Sequence, residues 1–187
     1  TYGDVPKIDF KINSPTQGHV AKSAASIIYT LIDADLTYAE AHLPLNWAGT
    51  GFFGRLTSGA AKTLHAKTLL YRQQWTPALD LCKQVIASTQ YSLVTPYWQI
   101  FKKEGELGAE SIWEIQADKK AGDGDTYWSR LGQCQGVRGS GTWDLGWGWN
   151  TPTTSLVNSY EAGDVRKDAT ILFSGQSDGG FGTGGYG

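Results

Sequence analysis

Methionine is absent from these 187 residues, and a chain that opens at Thr1 without one reads as a piece of a longer translation product. Long apolar runs are missing too: nothing approaches the ~18 consecutive apolar residues that a membrane-spanning helix needs. The opening TYGDVPKIDFKINSP shows no basic-then-apolar signal segment. Any export signal or lipid anchor is therefore expected upstream of Thr1. Charge is sparse, 18% of residues with a net charge of -2, and no basic patch marks a nucleic-acid binder. No run of like charges suggests a tail or a membrane-surface segment. Two cysteines make no disulfide framework. Cys82 falls on the apolar face of an expected helix, where a thiol behaves as a small hydrophobe. Nothing in the sequence brings its sulfur within reach of Cys134, so no bridge is expected and the redox compartment stays open. His19, His42 and His65 lie far apart with no paired-ligand spacing, which argues against zinc.

What is present is enough apolar material for a core, 40% of the residues, and that excludes wholesale disorder. Residues 1–18 are polar, contain Pro6 and Pro15, and read as a loop or the stub of an earlier element. From His19 to about His42, the positions Ala24, Ile27, Ile28, Leu31, Ile32, Leu36 and Ala39 recur at three- and four-residue spacing. That is an amphipathic helix, ended by Pro44. A Gly-rich connector, Asn46 to Gly54, follows. A second helix is expected from Thr57 or Ser58 to Arg72, with Ala60, Ala61, Leu64, Ala66, Leu69, Leu70 and Tyr71 as candidates for burial. A third is expected to start at Thr76 as N-cap, with Pro77 at the first helical position and Asp80 near the positive dipole end. Its face is Ala78, Leu81, Cys82, Val85 and Ile86. The short link around Gln73–Trp75 makes the pair an antiparallel hairpin.

After Tyr91 the texture changes. Residues 111–117 read as a short strand, and residues 121–149 mix glycine with Tyr127, Trp128, Trp143, Trp147 and Trp149. Thr151-Pro152 restarts a helix with Leu156, Val157 and Tyr160 on one face. The glycine-rich end from Ser174 is poor in core-forming residues.

The second and third helices have the spacing of a tetratricopeptide pair, with small Ala66 and Ala78 twelve apart and Leu69 and Trp75 between them. The match is partial, because Lys62 stands where that repeat has an early aromatic. Two such helices do not bury their faces alone, so neighbours are expected.

The order of blocks then becomes specific. DADLTYAEAHLP at 33–44, GRLTSGAAKTLHAKTLLY at 54–71, WTPALDLCKQVIASTQYSLV at 75–94, YWQIF followed by ESIWEIQ at 110–116, and GWGWNTPTTSLVNSYEAGDVRKDATIL at 146–172 together resemble the SusD/RagB family. The resemblance covers roughly residues 20–173. It implies one partial SusD-like domain over 1–187, with a helical-hairpin core at 19–94, a strand and aromatic loops at 95–149, a helix and turn at 150–173, and a flexible 174–187. The fold class is mainly α: tetratricopeptide-like helical hairpins in an α/α superhelix with an irregular β/loop insertion. The implied function is non-catalytic capture of an oligosaccharide or related glycan and its delivery to a SusC-like TonB-dependent transporter. The implied location is the outer-membrane surface, through a lipid anchor absent from this chain. No nucleic acid and no cofactor is implied.

Glycan capture needs flat apolar surfaces with polar rims, which aromatic rings supply. The ligand-binding candidates are Tyr127, Trp128, Trp143 and Trp147, with Arg138 and Asp144 (and Arg130) for hydroxyl hydrogen bonds. Some of these rings have an alternative role in sealing the loops onto the helices, and Trp149 reads as structural. Asp164, Arg166 and Asp168 read as a turn held by ion pairs, and Arg55 as structural. The G-x-G-x-x-G strings at Gly49–Gly54 and Gly182–Gly187 lack the strand–turn–helix context of a dinucleotide site. Asp123-Gly124-Asp125 lacks the third oxygen position and closing Glu of a calcium loop, so no metal site is assigned. No Ser–His–Asp or Cys–His arrangement is legible. Two alternatives stay open: a tetratricopeptide-like peptide-binding adaptor, and a glycoside hydrolase using two of Glu104, Glu106, Glu110, Glu114 and Asp144.

Overall fold

The computed structural model describes residues 2–116, 131–139 and 146–173. The chain divides into two compact units, Thr1–Tyr91 and Ser92–Gly187.

The first unit opens with a short ribbon in the segment expected to be loop. Strand β1, Val5–Pro6, runs antiparallel to β2, Lys22–Ser23, with Val5 opposite Ser23. That pairing occupies the residues after His19, so helix α1 starts later than its apolar spacing implied, at Ala25, and runs to His42. Ala24 offers no side-chain cap; the Asp4 carboxylate beside β1 accepts the Ala25 N–H instead, at 3.1 Å. Helix α2 spans Ser58–Tyr71. Its N-cap Thr57 accepts the Ala60 N–H at 3.2 Å, and the same hydroxyl lies 3.0 Å from the Tyr91 hydroxyl. The Tyr91 ring covers Gly59, where a Cβ would sit 2.8 Å from Tyr91 Cε2, so a larger residue here would push the ring aside.

Helix α3 spans Trp75–Ala87. It begins one residue before the expected cap, and Gln74, which makes no side-chain cap, takes that position. The reason is the exit from α2. Gln73 adopts φ 59°, its N–H bonds to the Leu70 carbonyl at 3.0 Å, and the Gln74 N–H bonds to the Leu69 carbonyl at 3.0 Å. This Schellman pair turns the chain so tightly that the next helix starts at once. Pro77 remains in the first turn, where no N–H is needed.

Helix α2 packs against both α1 and α3. The core where α2 meets α3 is Ala66, Leu69, Ala78 and Leu81, with Ala66 2% and Ala78 1% exposed. The two small residues face inward as the spacing required, because only short side chains let two helix backbones approach closely. Four expected burial positions are instead exposed: Leu64 46%, Leu70 47%, Tyr71 71% and Ile86 76%. Cys82 is exposed as well, and both cysteines are free. The inner arc of α3 is narrower than its apolar set: Ala78, Leu81 and Val85 are buried, and Cys82 and Ile86 each lie one residue, about 100°, past a buried position.

The second unit relies on short elements and side-chain caps. Residues 111–116 form no strand. Carboxylates take the backbone amides of the neighbouring segment: Val94 N–H bonds to Glu110 at 2.9 Å and Leu107 N–H to Glu114 at 3.1 Å. Single 3₁₀ turns occupy Tyr97–Phe101 and Lys103–Gly105. Helix α4, Leu131–Gln135, lies where loop was expected. Helix α5, Thr154–Ser159, starts two residues beyond the expected cap, because Thr153 rather than Thr151 accepts an N–H, that of Leu156 at 3.2 Å. Helix α6, Val165–Thr170, packs on the Tyr97–Phe101 turn, and Ile171 just beyond it is buried. Residues 174–187 lie outside the described residues.

Candidate functional site

Of the expected ligand-binding residues, Trp147 and Arg138 are described; Tyr127, Trp128, Trp143 and Asp144, with Arg130 and the Asp123–Asp125 stretch, lie outside the described residues. The segment GWGW at 146–149 is laid along α4 and the residues after it. Trp147 N–H bonds to the Gln133 carbonyl at 2.8 Å and Trp149 N–H to Cys134 at 2.8 Å. Gly148 N–H bonds to Gly136 at 2.9 Å and Gly146 N–H to Val137 at 3.0 Å. The carbonyls that a short helix leaves unpaired at its C-terminus are thus taken up by this strap.

The alternation of glycine and tryptophan has a steric cause. A Cβ at Gly146 would sit 2.9 Å from the Gly136 Cα, and one at Gly148, where φ is +68°, 2.9 Å from the Arg138 Cβ. Glycine lets the backbone lie flat on its support. The two indoles form a tilted pair, with centroids 4.8 Å apart and planes at 51°. Trp147 is 40% and Trp149 59% exposed. Trp149, expected to be structural, therefore presents the larger surface of the two, and Arg138 lies beside the strap at Gly148. The signal for this pair was the two-residue Trp spacing between glycines.

A second polar cluster, in the first unit, escaped the sequence reading. Asp33 and Glu40 on α1 lie seven residues apart, as do His65 and Arg72 at the end of α2. In the antiparallel pair they meet: Arg72 donates to both Asp33 oxygens at 2.7 and 2.6 Å, and His65 Nδ1 lies 2.7 Å from Glu40. His65 Nε2 approaches Asp33 at 3.3 Å, and the guanidinium lies 4.8 Å from the Tyr29 ring centroid. The Arg72 hydrogen bonds hold the Asp33 carboxyl below its ordinary range, and Asp33 in turn raises Arg72. The cluster fastens α1 to α2. Its signal, two carboxylates seven residues apart matched by a histidine and an arginine seven apart, was present in the sequence.

The Gly-rich connector before α2 is ordered by its own contacts. The Trp47 indole N–H donates to the Leu56 carbonyl at 2.8 Å, Phe52 meets Trp47 edge-on, and the Arg55 guanidinium stacks 4.0 Å from the Phe52 centroid. Asp164 caps α6 by accepting the Arg166 N–H at 2.9 Å and pairs with its guanidinium at 2.6 Å, which keeps its carboxyl below the usual range. Among the described residues no three His, Cys, Asp or Glu side chains are grouped to hold a metal ion, and no helix is long and apolar enough to cross a membrane.

No family model matches the chain. A SusD-like protein of Formosa agariphila is 26% identical over 181 residues, 91% of this chain and 34% of its own length. The chain is SusD-like. A second SusD-like protein of the same organism is 29% identical over 92 residues, 49% of this chain and 17% of its own. The surface glycan-binding protein A of Bacteroides uniformis shares the fold with a TM-score of 0.70 at 24% identity, over 93% of this chain and 39% of that one. This SusD-like chain thus spans about a third of the length of a curated relative it matches almost end to end. Within it, Glu110 and Glu114 are tied to the backbone amides of Val94 and Leu107, a structural use of two carboxylates that the hydrolase alternative had available.

Proposed function

We propose that the chain binds an oligosaccharide without altering it chemically, as part of a surface protein that hands the glycan to a SusC-like TonB-dependent transporter. The single observation that most supports this is the Trp147–Trp149 pair: two exposed, tilted rings held on a strap whose backbone N–H groups are bonded to the α4 segment. Such rings stack on the apolar faces of sugar rings, with the indole N–H groups left for hydroxyls. Arg138 would serve as a rim donor, and Tyr127, Trp128, Trp143 and Asp144 belong to the same proposal as further ligand contacts. The SusD-like relatives and a surface glycan-binding protein of the same fold support the substrate class. Non-catalytic capture is supported by the structural employment of Glu110 and Glu114, because glycoside hydrolysis needs a pair of carboxylates free to flank the bond. The outer-membrane location and the lipid anchor belong to the same proposal.

The test is a titration of the full-length protein with a broad oligosaccharide panel, followed by tryptophan fluorescence and calorimetry. Binding of at least one glycan is expected, weakened roughly three- to tenfold by Trp147→Ala and by Trp149→Ala. Silence across the panel, or release of reducing ends from a bound glycan, would count against it.

A further inference from the structure

Lys62 stands where a tetratricopeptide repeat has an early aromatic, and it is half-buried on α2 with no carboxylate to pair with among the described residues. Helix α2 itself contains no Asp or Glu, so no acidic side chain of its own offsets the positive end of its dipole. Beside Lys62, between the start of α2 and the end of α3, lies a recess of about 10 Å³ with no acidic side chain in its lining. That volume admits one water-sized group. Several polar groups around it are already engaged. The Ser88 hydroxyl donates to the Val85 carbonyl at 2.6 Å, Asn46 donates to Gln90 Oε1 at 2.8 Å, and the Tyr91 hydroxyl lies 3.0 Å from that of Thr57. Three donors in the lining are not. Ser58 is only 4% exposed, yet its hydroxyl makes no hydrogen bond among the described residues. The Gly59 N–H has no acceptor there either, because Pro44 serves Ser58 while Thr57 serves Ala60 and Ala61. The Lys62 ammonium is the third.

We infer that this recess is a binding site for the carboxylate of a small acidic ligand. The donor set selects the ligand. A buried polar group without a partner is rare in folded proteins and calls for one. An amide N–H and an ammonium only donate, and a hydroxyl can donate as well, so the group that answers all three is an acceptor with negative charge. A carboxylate carries two acceptor oxygens. One is the size the recess admits, against Ser58 and Gly59, and the second is left for Lys62. A neutral sugar hydroxyl would leave the ammonium charge unanswered. The start of a helix favours the same sign of ligand, because its free N–H groups and its dipole both attract anions. A sugar acid and a simple organic acid carry this group alike, and the experiment separates them. The inference does not depend on the Trp147–Trp149 reading.

Lys62 itself reports on the site. In the full-length protein, acetylation of Lys62 by an N-hydroxysuccinimide ester, followed peptide by peptide in a mass spectrometer, is expected to slow at least about threefold in roughly 50 mM sodium acetate or sodium glucuronate, relative to sodium chloride at the same concentration. Acetylation of the exposed Lys67 on the same helix is expected to stay unchanged. Equal protection by both salts makes the carboxylate alone the ligand; protection by glucuronate at lower concentration than acetate makes it a sugar acid. The thermal midpoint is expected to rise with the same salts, Lys62→Gln to abolish that rise and Lys62→Arg to keep it. Equal acetylation of Lys62 in carboxylate and in chloride would overturn the inference, whether the lysine reacts fast throughout or is already protected; the second case would mean that another part of the longer polypeptide fills the recess. A rise in midpoint that survives Lys62→Gln would be a general salt effect and would overturn it as well.

Discussion

In the first unit Ala66 and Ala78 are 2% and 1% exposed at the centre of a helix crossing; in the second, Ile171, at 4%, is the only buried apolar residue among those described. The difference reflects two ways of specifying structure. In the first unit, long helices meet over small side chains, and polar side chains seven residues apart fasten α1 to α2. In the second, order comes from local satisfaction of backbone groups: Glu110 and Glu114 on loop amides, Thr153 and Asp164 on helix starts, and the 146–149 strap on the end of α4. A packed interface makes a stiff platform. A strap held through its backbone amides leaves side chains outside, and that is where the exposed indole pair stands.

The sharpest way to break the contrast is to overfill the crossing. Ala78→Leu is expected to destabilise the first unit by about 3 kcal/mol, read as a lower urea midpoint; tolerance of leucine there would mean the helices do not nest. Gly146→Ala is expected to cost about 2 kcal/mol, because its Cβ meets backbone atoms rather than a movable side chain. The loss is expected to be local: amide exchange at Trp147 and Trp149 should accelerate while α2 amides keep their protection. Equal acceleration in α2 would erase the distinction between the units.

Arg72→Ala removes both hydrogen bonds to Asp33 and is expected to cost about 1–2 kcal/mol in thermal unfolding. The pH dependence follows from the lowered Asp33 value. A carboxyl depressed on folding contributes fully above its ordinary value of 3.8 and loses that contribution as the pH falls below it. Asp33→Asn is therefore expected to flatten the acid limb of the stability profile, and an unchanged limb would mean the clamp is not formed. The smallest effect is a gain. Gln73 sits at φ 59° in the Schellman turn, where glycine has no penalty, so Gln73→Gly is expected to add about 0.5–1 kcal/mol.

The helices were legible where a period repeats over several turns. The centre of α1, nearly all of α2, and the inward Ala66 and Ala78 follow from spacing alone. Starts were less legible because the cap is decided by geometry: Asp4, twenty-one residues away, serves Ala25, and Thr153 displaces Thr151. The expected strand at 111–117 failed because apolar alternation makes a strand only when a partner takes its hydrogen bonds, and none does so among the described residues. For the candidate site, Trp147 and Arg138 were named from composition, whereas the exposure of Trp149 depended on how glycines 146 and 148 seat the strap.

Periodicity, small-residue spacing and block order by themselves determined a SusD-like helical hairpin, because a helix turns at a fixed angle per residue and so writes its buried face into the chain. Only the tertiary structure decided which apolar positions are covered, which carboxylates serve the backbone, and that two tryptophans two residues apart stand side by side. Those outcomes depend on what lies across from each residue, and a linear chain does not record its neighbours in space.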